Sequence, residues 1–62
     1  MSNWIYDHLT QQLSTTEDEW TLYILWGEIQ MAGMTSAITI NQRLYLEDVW
    51  KEKKDDLRKK TA

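Results

Sequence analysis

The sequence predicts a small all-α domain of three helices, at about residues 3–13, 16–33 and 37–59. Three observations predict it. Apolar residues recur at helical spacing, most plainly Ile5, Leu9 and Leu13, which share one helix face. Two Thr-x-x-Glu/Gln signatures, Thr16 with Glu19 and Thr39 with Gln42, mark helix starts, because the two side chains satisfy each other's orphan backbone N–H groups. No proline interrupts any segment, so nothing forbids long helices.

In the first helix Ser2 is the expected N-cap, and Trp4 and Tyr6 flank the apolar stripe. Asp7 lies in the first turns, where the helix dipole favours a negative charge. His8 is the only imidazole, and with no nucleophile spaced to pair with it it reads as a surface residue.

The second helix begins at the Thr16/Glu19 box, and Glu17 and Asp18 add charge that suits a helix N-terminus. Its expected end is Ala32-Gly33, with Gly33 as the left-handed residue after the helix. Gly27 sits mid-helix at a cost of about 1 kcal/mol relative to alanine, which a close helix crossing would explain. This helix is apolar on two faces. Trp20, Ile24 and Met31 share one, with Tyr23 and Met34 beside it, and Leu22, Leu25, Trp26 and Ile29 cover the other. A helix apolar all round has to be buried all round, and a chain of 62 residues has little to bury it with. The run 20–26 also has high β-propensity; the capping box and the apolar content continuing to Met34 favour helix.

A turn is expected at 33–36, and the alternation of Ile38 and Ile40 suits a short extended segment at 36–40. In the third helix Tyr45, Leu46, Val49, Trp50 and Leu57 form a core stripe, with Ile40 and Leu44 on the far side. Residues 51–62 read as a charged helical tail that projects from the core and frays after Leu57, completing a single domain over 1–62.

Composition excludes several function classes. There is no cysteine and one histidine, so disulfides and thiolate metal sites are ruled out and no cofactor is expected. No glycine-rich phosphate loop or nucleophile motif is present. The carboxylate pairs Asp18/Glu19, Glu47/Asp48 and Asp55/Asp56 are sequence neighbours, which point about 100° apart on a helix rather than at one substrate. So short a chain also struggles to enclose a substrate pocket. The expectation is a non-enzyme with no small-molecule substrate. The apolar stretch is interrupted by Glu28 and Gln30 and too short to span a bilayer, no basic leader precedes it, and the lack of cysteine fits a soluble, cytoplasmic protein.

The net charge of −3 hides an asymmetry. Residues 1–42 carry five acidic and no basic side chains; residues 43–62 carry seven basic and five acidic. With four Trp and three Tyr, residue types that interfaces favour, the leading expectation is a protein-interaction module: a small accessory protein, adaptor or inhibitor that binds a protein partner or itself, with a homodimer favoured. Trp20, Tyr23 and Trp26 are the expected contact residues, with Ile40 and Leu44 as a second patch and Glu17, Asp18 and Glu19 steering a basic partner. The alternative is a helix-turn-helix over 28–44 that contacts DNA through Thr39, Asn41, Gln42 and Arg43, residue types that read base edges. The acidic front two-thirds of the chain, which phosphate would repel, disfavours it.

Overall fold

The computed structural model describes residues 3–61, and Ser2, the expected first cap, lies outside the described residues. Three helices make up the domain: α1 (Trp4–Thr15), α2 (Glu19–Met34) and α3 (Ile40–Thr61). No strand forms among the described residues. The all-α, three-helix expectation therefore holds, with shifted boundaries, and the segment 36–40 is a turn and a helix start rather than an extended strand.

Asn3 caps α1, its side-chain oxygen accepting from the N–H groups of Ile5 and Tyr6 at 3.0 and 3.3 Å. The helix outlasts its expected end at residue 13 because the hydroxyls of Ser14 and Thr15 bond back to the Gln11 carbonyl. Thr16 then closes α1 instead of opening α2. It is extended, and its N–H donates to Gln12 O at 3.0 Å. The Thr16/Glu19 box does not form. Asp18 takes the N-cap of α2, accepting from Thr21 N at 2.7 Å and from the Thr21 hydroxyl at 2.9 Å. Asp is at least as good a cap as Thr, and the later start leaves a short turn in which the chain reverses.

α2 ends in a Schellman arrangement. Ser36 N–H donates to Gly33 O at 3.2 Å and Ala37 N–H to Ala32 O at 2.9 Å, the paired bonds of that motif. The left-handed residue is Ser36, with φ of 62°. Gly33, expected there, lies inside the helix. The absent side chain makes room for a neighbour: a Cβ on Gly33 would fall 2.6 Å from Arg43 Cδ, so the arginine side chain would have to shift to admit one. Among the described residues no segment of the chain crosses Gly27, and a Cβ there would have nothing within 4 Å.

The Thr39/Gln42 box forms, and the third helix starts later than the expected residue 37. Thr39 Oγ1 accepts from Gln42 N–H at 3.0 Å and Gln42 Oε1 from Thr39 N–H at 2.9 Å, which starts α3 at Ile40. The core gathers Leu9 and Leu13 of α1, Leu22, Leu25, Ile29 and Ala32 of α2, Ile38 of the turn, and Leu46, Trp50 and Leu57 of α3. Tyr45, expected in the core stripe, is half exposed, its ring tilted against Tyr6 at 6.3 Å. The tail does not leave the body of the fold at Trp50. Leu57 is buried, Arg58 Nε lies 3.4 Å from Glu19 Oε1, and Lys53 Nζ donates to Ser14 O at 3.4 Å. α3 is helical through Thr61.

Candidate protein-interaction face

α2 has two apolar faces, and the fold buries one. Leu22, Leu25, Ile29 and Ala32 turn inward, while the opposite face is left to solvent. On it Trp20 is 76% exposed, Ile24 51%, Met31 59% and Met34 77%, with Tyr23 at 51% beside them. Trp20, Ile24, Gly27, Met31 and Met34 are spaced four, three, four and three apart, the interval that keeps residues on one narrow helical seam. Gly27 makes a notch in its middle, since among the described residues nothing lies within 4 Å of where its Cβ would stand. The positions flanking the seam are Thr21, Tyr23, Glu28, Gln30 and Thr35, among which only Glu28 is charged.

The inward choice is explained by α3. Trp50 is buried between the helices, its indole N–H bonded to Leu22 O. Trp26 packs on it with ring centroids 4.7 Å apart, and Tyr23 meets its edge at 5.9 Å. Lys54 Nζ caps the group, 5.2 Å from the Trp50 ring and 5.5 Å from that of Tyr23, a cation–π arrangement. Trp26 is thus partly buried within its own fold, packed against the core rather than on the open seam. Tyr23 takes part in both.

Of the expected contact residues, Trp20 and Tyr23 lie on the exposed α2 face. Ile40, 71% exposed, and Leu44, 48% exposed, lie near the start of α3 and are not on this seam. Ile24, Met31 and Met34 are exposed there too. Their signal was the four-three spacing about Gly27, which aromatic content alone does not reveal. The acidic cluster is largely engaged: Asp18 caps α2 and Glu19 faces Arg58, while Glu17 is exposed. The Thr21 backbone N–H, and then its hydroxyl, hold the Asp18 carboxyl below the usual aspartate value.

Three of the four residues proposed to contact DNA are used inside the fold. Thr39 and Gln42 bond each other's backbone. Arg43 lies against Gly33, with Nε 3.9 Å from Glu47 Oε2, too long for a hydrogen bond, and Glu47 accepts from Gln30 Nε2 at 2.6 Å. Asn41 is exposed.

An open hollow of about 410 Å3 lies where the α2–α3 turn meets Asn3, lined by Asn3, Gly33 and residues 36–40. No lining side chain is ionisable. Among the described residues no three His, Cys, Asp or Glu side chains gather as a metal site would need, and no helix is long and apolar enough to cross a membrane. Comparison with known proteins finds no matching family model, no matching curated protein and no matching solved structure.

Proposed function

We propose that the protein is a non-catalytic, self-associating interaction module whose contact surface is the outer face of α2. One observation carries this reading: the exposed, nearly uncharged seam of Trp20, Ile24, Met31 and Met34 with Tyr23 beside it. Those five side chains expose on the order of 700 Å2, more than the ~300–600 Å2 of the largest patch on a typical soluble monomer. At ~25 cal/mol per Å2, covering even half of it is worth on the order of 9 kcal/mol before the costs of association. The driving force is hydrophobic, and a rim of α3 and the acidic α1–α2 turn remains to meet a further partner as an adaptor or inhibitor would.

Sedimentation equilibrium at low and high salt tests the reading. The wild-type chain is expected to dimerise, and to remain dimeric in high salt, since burial of apolar surface is not screened. Ile24→Glu is expected to be monomeric with unchanged helical circular dichroism, because Ile24 is half exposed and outside the core. A wild-type chain that stays monomeric at concentrations well above micromolar overturns the reading.

A further inference from the structure

The α2 seam is nearly symmetric in spacing about its glycine. Gly27 is at its centre, Trp20 and Met34 each stand seven residues away, and Ile24 and Met31 stand three and four away. We infer that the occupant of this face is the α2 helix of a second copy of the chain, packed antiparallel across a two-fold axis at Gly27. The inference rests on the reading of α2 as a self-association surface and adds its geometry.

Three features select this arrangement. The first is area. The seam together with the flanking Tyr23 exposes roughly 700 Å2 per copy, close to the ~800 Å2 per partner that standard stable interfaces bury. A second copy supplies a matching surface of the same size, as a closed two-fold contact requires.

The second is shape. The missing side chain at Gly27, with no atom within 4 Å of where its Cβ would stand, lets two helix backbones approach closely. The larger ends of the seam then lie on either side of the crossing. Each Trp20 lies toward the partner's Met34 end, a thioether side chain that adapts to a large aromatic surface.

The third is charge. A parallel pair would set the two Glu17–Asp18–Glu19 clusters side by side, and their like charges repel. The antiparallel pair carries them to opposite ends of a seam about 21 Å long, and sets the helix dipoles in the favourable sense. One like-charge contact remains. Rotation about an axis lying between the helices keeps each side chain on its own flank, so the two Glu28 carboxylates stand on the same side of the crossing. They are the only charges that α2 itself places at the flanking positions. In a parallel pair Glu28 would instead face the partner's Tyr23 and Gln30.

The chain has no cysteine, so single-cysteine variants report distances directly. Trp20→Cys and Met34→Cys proteins would be treated, separately and mixed, with a bismaleimide cross-linker of about 10 Å span, beside sedimentation of the wild-type chain. The expected result is covalent dimer in the mixture and little in either variant alone. A second measurement keeps Trp20 in place: Glu28→Gln is expected to tighten the dimer about two- to threefold by removing the like-charge pair. Efficient self-cross-linking of Trp20→Cys, with no tightening by Glu28→Gln, overturns the antiparallel arrangement while a dimeric wild type leaves the self-association reading standing. A wild type that is monomeric overturns both.

Discussion

The indole N–H of Trp50 donates to the main-chain carbonyl of Leu22 at 2.5 Å, joining α3 to the first turn of α2 inside the core. This contact ties the two largest helices together at the position from which Trp26 and Tyr23 are also ordered. Trp50→Phe keeps an aromatic ring but loses the donor and part of the buried area. It is expected to cost about 1–2 kcal/mol, read as a lower urea midpoint with an unchanged m-value.

Gly27→Ala has opposite expected effects on folding and on association. Within one chain its Cβ enters open space, so the substitution stabilises α2 by about 1 kcal/mol. Between chains, in the proposed antiparallel dimer, it is expected to fill the notch and weaken association. Thermal melting under monomeric conditions and sedimentation of the same variant measure the two effects separately. A tighter dimer would show that the backbones do not meet there.

Ser36 occupies the left-handed region that favours glycine. Ser36→Gly is expected to stabilise the domain by about 1 kcal/mol, because the Cβ that opposes this conformation is removed. Gly33→Ala does not share the gain. Its Cβ must displace Arg43, so the midpoint of denaturation is expected to fall or stay unchanged despite better helix propensity.

Acidification weakens the start of α2. The Asp18 carboxyl titrates below its ordinary value because the Thr21 N–H, and secondarily the Thr21 hydroxyl, bond its charged form. The unfolded chain takes up the proton first, so the cap's contribution is complete above about pH 4 and is lost as pH falls through and below that range. Asp18→Asn retains a capping oxygen without the charge. Its melting temperature is expected to fall less than that of the wild type between pH 5 and pH 2.5.

Much of the architecture was legible in the residues themselves. The α1 stripe of Leu9 and Leu13 is buried as its spacing implies, and the Thr39/Gln42 box opens α3. What was not legible was decided between segments. Thr16 and Asp18 are both competent caps, and the choice fell to Asp18 because α1 continued through Thr15 and used Thr16 as its end. Ser36 took the left-handed place expected of Gly33, and Gly33 stayed inside the helix with Arg43, ten positions later in the sequence, lying against it. For the candidate site, helical spacing placed Trp20, Ile24 and Met31 on a common face but could not say which of the two α2 faces goes inward. That depended on Trp50, whose N–H reaches Leu22 and whose ring receives Trp26.

Asn3 does two jobs with one amide. Its oxygen caps α1 through Ile5 and Tyr6, and its nitrogen donates to Ala37 O at 2.6 Å, in the turn between α2 and α3. A change at either end is therefore felt at the other: when the turn opens, the amide loses the partner that orients it, and the first turn of α1 loses its cap. Local helix formation and long-range closure become one cooperative event, even though α1 has few residues of its own to sustain a helix. The Ile5 and Tyr6 amides should consequently exchange hydrogen in step with the Ala37 turn, rather than fray independently as the leading end of a short helix otherwise would.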